Sequence, residues 1–192
     1  MKAIVVISVS LLGWMSCTSP KEKEEVVNYE NTENELIAKG NYLVDIIGCN
    51  DCHTPKIMTE RGPMPDTTRI LAGHFDGDLS ALVNKDALSH WVLFNGSLTA
   101  AVGPWGISYS ANLTSDASGI GSWTEEQFVM AMREGKYKGI RNSRDLLPPM
   151  PWQNFAQMKD EDLKAIFAYL QSTKPIRNVV PPAVSPEDLA QK

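Results

Sequence analysis

Hydrophobic side chains recur at helical spacing in three segments of the chain, and stretches rich in polar residues, glycine and proline separate them. In the first segment, ENELIAKGNYLVDIIG, apolar positions lie three, four and seven residues apart, which is typical of an amphipathic helix. These positions are Leu36, Ile37, Leu43, Ile46 and Ile47. Gly40 interrupts the stripe at a cost in helix stability, so we expect it to permit the close approach of another helix.

Two later segments carry clear signals for where a helix begins and ends. In SWTEEQFVMAMREGKY, Thr124 and Gln127 have the spacing of a capping box, and Gly135 marks the end. In DEDLKAIFAYLQSTKP, acidic residues precede the apolar positions and Pro175 follows them. One face of this last helix would carry Leu163, Ile166, Phe167 and Leu170.

The segments between these helices have the composition of loops. Residues 54–86 and 96–122 are rich in turn-forming residues, and we expect irregular structure there. The segment KDALSHWVLF fits a short helix or a strand equally well, and RNSRDLLPPMPWQNF reads as a stiff, proline-bracketed loop. The tail after Ile176 is predicted to run along the surface as a strap.

The N-terminal residues indicate export. Lys2 precedes AIVVISVSLLGWM, which is shorter than the roughly 20 apolar residues that span a bilayer and fits a secretory signal. The following MSCTSP resembles a bacterial lipoprotein signal, with Cys17 as the lipid-carrying first mature residue. Simple cleavage and an uncleaved anchor are the alternatives. The sequence thus predicts a signal peptide over 1–16 and a flexible, charged tether over 17–33.

The composition of the chain argues for a single globular domain and against nucleic-acid binding. The chain has 192 residues, of which 43% are hydrophobic and 21% charged, as expected for one globular domain with extensions. Its net charge is −5, and no run of Lys and Arg is interleaved with aromatic residues, so nucleic-acid binding has no support. We expect no membrane-spanning segment after the signal.

The candidate chemistry lies in the pentapeptide CNDCH, from Cys49 to His53. Its two thiols could form a redox-active disulfide, could bind zinc, or could attach a haem whose iron the histidine binds. Zinc needs about four ligands, yet His74 and His90 are distant in sequence. A redox pair usually follows a strand, whereas the flanks here have a helical pattern. If Cys17 carries lipid, haem attachment also accounts for the odd count of 3 cysteines.

A set of motifs, taken in order, resembles class I c-type cytochromes, and more narrowly the monohaem lipoprotein cytochromes of bacterial cell envelopes. The motifs are CNDCHTP, PWGISYSANLTSD, GIGSWTEEQF, LLPPMPW and DEDLKAIFAYL, within residues 35–176. The resemblance implies an all-α class I cytochrome c fold over 34–178, with crossing N- and C-terminal helices and long loops, followed by an extension over 179–192. It also implies one haem c, bound through thioether bonds of Cys49 and Cys52.

The resemblance further implies the iron ligands. His53 is expected to bind iron through Nε2 while Nδ1–H donates to a backbone carbonyl in the following loop, for which Pro63 is a candidate. Met150 lies between two prolines that restrict the backbone, and it matches the family's sixth-ligand position. The alternatives for that position are Met158, His74 and His90.

Coordination by histidine and methionine favours Fe(II) and closes the sixth position, which implies a carrier of single electrons and not an enzyme. The expected partners are redox proteins on the periplasmic side of a bacterial membrane, and the membrane itself through the lipid on Cys17. Two alternatives stay open: a haem-bearing subunit of a periplasmic dehydrogenase, and a five-coordinate haem enzyme or gas sensor. The basic segment 133–144 could dock an acidic partner, neutralise haem propionates or be a plain solvated loop.

Overall fold

The computed structural model describes residues 29–191, so the predicted signal peptide, Cys17 and most of the predicted tether lie outside the described residues. The helices are α1 (Tyr29–Ile46), α2 (Cys49–His53), α3 (Glu125–Glu134), α4 (Trp152–Phe155), α5 (Asp160–Ser172) and α6 (Pro186–Gln191). The strands are β1 (Lys56–Thr59), β2 (Gly62–Pro65), β3 (Leu93–Phe94), β4 (Ala100–Gly103) and β5 (Gly106–Tyr109). Short 3-10 helices lie at Ser80–Leu82, Lys85–Ser89 and Tyr137–Gly139. Within residues 29–191, none of the helices has the length and apolar character needed to cross a membrane.

The three helices predicted from hydrophobic spacing are confirmed as α1, α3 and α5. At the start of α3, the Thr124 hydroxyl accepts from the Gln127 backbone N–H at 3.2 Å, and the Gln127 side chain accepts from the Thr124 backbone N–H at 2.9 Å. This is the predicted capping box. Gly135 ends the helix with φ of 65°, a left-handed conformation that favours glycine.

The main core forms where α1 packs against α5. A Cβ atom added to Gly40 would lie 1.9 Å from the carbonyl oxygen of Ala165, so the glycine permits the close approach expected from the sequence. Beside this contact, Lys39 forms an ion pair of 2.7 Å with Asp162. The buried side chains of the main core are Val44, Leu71, Ile120, Phe128, Met132, Leu163, Ile166 and Leu170.

The structure departs from the predicted all-α fold, because the segments read as loops contain two small antiparallel sheets. Strands β1 and β2 form a hairpin, and β3, β4 and β5 form a three-stranded sheet in that order. Every position of β4 is buried, so this strand lacks the polar and apolar alternation that reveals a half-buried strand. The ambiguous segment KDALSHWVLF contributes both a 3-10 helix and β3.

The C-terminal segment packs against this second sheet. Val184 and Ile107 exchange backbone hydrogen bonds of 2.9 and 3.0 Å, and Leu189 of α6 is buried beside them. A second, smaller core consists of Val102, Ile107, Val184 and Leu189. The tail after Ile176 is therefore a strap, as the sequence predicted, and it buries the apolar side chains of Val184 and Leu189 against the sheet.

Candidate haem site

The pentapeptide CNDCH forms the one-turn helix α2, directly after α1. Gly48 separates the two helices with φ of 78°, which turns the backbone sharply between them. Positions separated by three and four residues share one helix face, so Cys49, Cys52 and His53 lie together on one side of this turn. All three side chains are half-buried, and both thiols are free.

The environment of the two thiols favours their protonated forms. Burial is the largest influence on both groups: it raises the pKa of Cys49 to about 12 and also raises the pKa of Cys52. Reactive dithiols occur where the thiol pKa is depressed, so these surroundings do not favour a redox-active disulfide. Among the described residues, no group of three or more His, Cys, Asp or Glu side chains could hold a metal ion, so the zinc alternative has no support.

The imidazole of His53 is fixed through one nitrogen and available through the other. Nδ1 lies 2.8 Å from the carbonyl oxygen of Ala111, while Nε2 makes no hydrogen bond to any described residue. Burial lowers the pKa of His53, the Ala111 carbonyl opposes that shift, and the positive charge of Lys56 adds to it. A neutral imidazole with Nδ1–H donated and Nε2 free is the form that binds iron.

The acceptor for His53 is not Pro63, as the sequence suggested, but Ala111, which is 58 residues away from His53 along the chain. Pro63 is exposed in the hairpin strand β2. The sequence offers no signal for this contact, because any residue type supplies a backbone carbonyl. Ala111 lies within PWGISYSANLTSD, one of the five motifs that carry the resemblance to c-type cytochromes.

The proximal loops, residues 71–74 and 110–113, hold Ala111 in place. The His53 carbonyl accepts from the Gly73 backbone N–H at 2.8 Å, so one loop binds the backbone of His53 while the other binds its ring. The two loops pair through His74 N–H to the Ser110 carbonyl at 3.0 Å and Leu113 N–H to the Leu71 carbonyl at 2.8 Å. Gly73 has φ of 77°, and an added Cβ would lie 2.6 Å from the Ser110 oxygen.

The strap fastens the proximal loops from outside. The side-chain amide of Asn178 donates to the carbonyls of Ala72 at 2.7 Å and His74 at 2.8 Å, one on each side of Gly73. The Asn178 backbone N–H donates to the Ser118 hydroxyl at 2.8 Å. Asn178 was missed from the sequence, because a lone asparagine in a proline-rich tail has no pattern that reveals its partners.

Thr54, the residue after the pentapeptide, connects α2 to the same loops and was also missed. Its side chain is fully buried, donates to the Asn50 side chain at 2.6 Å and accepts from the Leu71 backbone N–H at 2.8 Å. The hydroxyl therefore satisfies a donor and an acceptor at once. Only its place in CNDCHTP could have drawn attention to it.

Met150 lies in the predicted proline-bracketed loop between α3 and α4, and it is half-buried. It packs against the main core, as does Cys49, so the structure brings both residues to the same cluster. The loop is tied down by the Ser108 hydroxyl, which donates to the Pro148 carbonyl at 2.6 Å. Met150, its proline neighbours and Trp152 line an open depression of about 350 Å³. The thioether is thus held on a braced loop at the core edge.

The alternatives for the sixth ligand have other roles or positions. His74 is fully buried; its Nδ1 lies 2.8 Å from the Thr99 hydroxyl and its Nε2 lies 2.8 Å from the Gly77 carbonyl. Both of its ring nitrogens are therefore engaged in packing the loops. His90 is exposed after a 3-10 helix, and Met158 is half-buried against the main core just before α5.

The basic segment 133–144 is partly committed to internal contacts. Arg133 donates to the carbonyls of Ala156 and Met158, each at 2.7 Å, and therefore braces the connection between α4 and α5. Lys136 pairs with Asp145 at 2.6 Å, and the Arg144 guanidinium lies 3.9 Å from the ring centroid of Tyr137. Lys138 and Arg141 are exposed; Lys138 Nζ lies 5.5 Å from the ring centroid of Tyr137, and Arg141 forms an ion pair of 4.0 Å with Glu134.

Taken together, the donor set fits a covalently attached haem. Two free thiols and a neutral imidazole share one helical turn, the imidazole has one nitrogen fixed and one available, and a half-buried thioether packs on the same core. These are the groups that a c-type haem requires from a protein. Neither a third thiol nor a second imidazole of the described residues is part of this turn.

The chain is similar in sequence to several proteins of known function. The chain is 38% identical over 141 residues to the gluconate 2-dehydrogenase cytochrome c subunit of Pantoea cypripedii; the match covers 73% of this chain and 24% of that subunit. It is 33% identical over 114 residues to the cytochrome c subunit of alcohol dehydrogenase (quinone) of Gluconobacter oxydans strain 621H, covering 58% and 23%. The chain is similar to cytochrome c subunits.

A third relative is a subunit of the nicotinate dehydrogenase of Pseudomonas putida, which is 42% identical over 79 residues. The matched residues are 41% of this chain and 6% of that relative. The chain therefore spans at most about a quarter of the length of these three relatives. No family model matches the chain.

We predict that Asn178→Ala destabilises the haem-loaded protein, because two carbonyls of buried residues lose their donor. The free energy of unfolding should fall by about 1–3 kcal/mol, as measured by urea denaturation. The Nδ1 proton of His53 should also exchange faster in NMR spectra. Asn142→Ala is the matched control, since Asn142 is exposed and has no hydrogen bond from its side chain to the described residues. Equal stabilities of the two variants would contradict the role given to the strap.

Proposed function

We propose that this chain is a monohaem c-type cytochrome that carries single electrons at the bacterial cell envelope. Cys49 and Cys52 attach the haem, and His53 and Met150 bind its iron. The observation that carries the proposal is the geometry of α2, where two free thiols share one turn with an imidazole whose Nδ1 is held by Ala111. The similarity to cytochrome c subunits supports the same function.

Each side chain has a defined part in this function. When bound, the haem supplies a one-electron Fe(III)/Fe(II) couple. The two thioether bonds prevent its loss, and the Ala111 carbonyl keeps the His53 ring in one orientation. The Met150 thioether would occupy the remaining iron-ligand position, where it would stabilise Fe(II) and raise the potential. A filled position leaves no place for oxygen or a substrate, so we propose an electron carrier and not an enzyme.

The similarity to dehydrogenase subunits favours a second form of this function, in which the chain exchanges electrons with a dehydrogenase. The relatives are named as subunits of gluconate, alcohol and nicotinate dehydrogenases, so we propose a periplasmic dehydrogenase as a redox partner of this chain. Whether the chain is a free carrier or a permanent subunit can be decided by co-purification from the cell envelope. A stable, stoichiometric complex would identify a subunit, and a haem protein that elutes alone would identify a free carrier.

Covalent attachment of the haem is the first part of the proposal to test. A denaturing gel stained for haem peroxidase activity should show one band at the mass of the protein, and a pyridine haemochrome assay should give one haem per chain. The double variant Cys49→Ala, Cys52→Ala should lose the stain, because no thiol remains on α2. Cys17→Ala is the matched cysteine control and should keep it. Staining of the double variant would refute attachment at these residues.

Substitution of Met150 separates a carrier from a five-coordinate enzyme or sensor. Met150→Ala should keep the haem, lose the ferric methionine–iron charge-transfer band, bind carbon monoxide and show a lower midpoint potential, because the soft sulfur donor is gone. Met150→His should also lower the potential. Met158→Leu is the control, with a cost under about 1.5 kcal/mol as a swap of similar volume.

The methionine assignment fails if Met150→Ala keeps the band while Met158→Leu loses it. If the wild-type protein lacks the band and binds carbon monoxide readily, the carrier function itself fails. The wild-type spectrum separates the two outcomes: the band is present in the wild-type protein if only the methionine assignment fails, and it is absent if the carrier function fails.

The location of the protein can be tested through its first cysteine. We propose that lipid on Cys17 anchors the protein to the periplasmic side of a membrane, with residues 17–33 as a tether and 34–178 as the cytochrome domain. Cys17→Ala should move the haem-stained protein from the membrane fraction to the soluble periplasmic fraction, while Cys17→Ala and wild type should show the same haem spectrum. A wild-type protein found wholly in the soluble fraction would overturn the lipid anchor.

A further inference from the structure

Lys56 is the first residue of β1, and its side chain folds back over the haem-attachment turn. Its Nζ donates to the backbone carbonyls of Asn50 at 2.8 Å and Asp51 at 3.0 Å, and also to the carbonyl of Thr54. An ammonium group has three protons to donate, so these three acceptors satisfy all of them. The contacts therefore favour the charged form of the lysine.

The carbonyls that Lys56 binds lie at the C-terminal end of α2. The last carbonyls of a helix lack partners within the helix and carry partial negative charge, which a cation near that end offsets. In a helix of 5 residues, most carbonyls are in this position. Lys56 thus adds a donor to the Asn50 carbonyl, which also accepts from the Thr54 backbone N–H at 3.3 Å, and supplies a donor to the carbonyls of Asp51 and Thr54.

The position of this charge is fixed from a second direction. The backbone N–H of Lys56 donates to the Ser97 carbonyl at 3.2 Å, and Lys56 pairs with Pro65 across the β1–β2 hairpin. The side chain is half-buried. Lys56 therefore differs from a mobile surface lysine, because both its backbone and its ammonium group are held.

The charge lies within electrostatic reach of the haem-binding groups. The carbonyls that the Lys56 ammonium group binds belong to Asn50, Asp51 and Thr54, which flank Cys52 and His53 on both sides along the chain. Burial is the largest influence on Lys56 and lowers its pKa, whereas the negative charge of the nearby Asp51 carboxylate opposes that shift and favours the protonated lysine. Iron bound to His53 would therefore experience a fixed cation and a nearby anion of the same turn.

We propose that Lys56 is a positioning and potential-setting residue, which holds the attachment turn and raises the midpoint potential of the iron. This inference rests on the proposed function. A cation close to the iron disfavours the additional positive charge of Fe(III), so Fe(II) gains stability and the potential rises. Because the lysine is half-buried, salt screens this effect less than it screens a surface charge.

The test compares midpoint potentials of haem-loaded variants by spectroelectrochemical titration, at low and at high salt. Lys56→Met, which keeps the length and removes the charge, should lower the potential at both salt concentrations. Lys56→Arg, which keeps the charge, should remain near wild type. Lys85→Met is the matched control, because Lys85 is an exposed lysine in a 3-10 helix. At high salt, the midpoint potential of the Lys85→Met variant should equal that of the wild-type protein. Equal potentials for Lys56→Met and Lys85→Met overturn the proposal.

A second variant keeps the proposal testable if Lys56→Met attaches no haem. Asp51→Asn removes the opposing carboxylate and leaves Lys56 in place, so its potential should rise above that of wild type; an unchanged or lower potential overturns the proposal. In hydrogen-exchange measurements, the Thr54 amide should exchange faster in Lys56→Met, because the carbonyls of the attachment turn lose their hydrogen bonds from Lys56. Failure of the proposed function would be visible separately, as a wild-type protein without covalent haem.

Discussion

The site depends on the hydrogen bond between His53 Nδ1 and the Ala111 carbonyl, which measures 2.8 Å. This contact connects α2 to a loop 58 residues away and leaves Nε2 as the ring nitrogen available for the proposed iron ligation. It requires the proximal loops to pair closely, and Gly73 provides the room for that. It also requires the pair to stay closed, which Asn178 ensures from the strap. The C-terminal strap therefore serves the haem site although it lies outside the helical core.

The helical core supplies the fixed frame for this arrangement. The close contact at Gly40 locks α1 against α5, and α2 begins directly beyond the end of α1. The position of the cysteines thus follows from the packing of two long helices. Met150 packs against the same core, although it lies far from α2 along the chain, in the loop that follows α3. One core consequently positions groups that are about a hundred residues apart, so disturbance of the core would affect attachment and ligation together.

How much the sequence predicted depended on whether a feature belongs to side chains or to the backbone. The helices α1, α3 and α5, the capping box at Thr124 and the role of Gly40 were predictable, because each leaves a pattern of residue types. The small sheets were not, since β4 is buried at every position and shows no alternation. The partner of His53 was misassigned to Pro63 because a carbonyl acceptor has no residue signature. The thiols, the imidazole and Met150 were identified as candidates through motifs, and their ligand roles stay predictions.

In the proposed cytochrome, the contacts that hold the site would have opposing electrostatic effects on the iron. The Ala111 carbonyl would make the His53 imidazole a more basic ligand, which favours Fe(III), whereas the Met150 thioether would favour Fe(II). The chain as a whole is acidic, with a net charge of −5, yet the half-buried cation at the attachment turn belongs to Lys56. Distant acidic side chains on the surface are screened by salt, while half-buried groups beside the ligand are screened much less. For the proposed haem site, we therefore expect the potential to depend on the iron ligands and on the fixed contacts around α2 more than on distant surface charge.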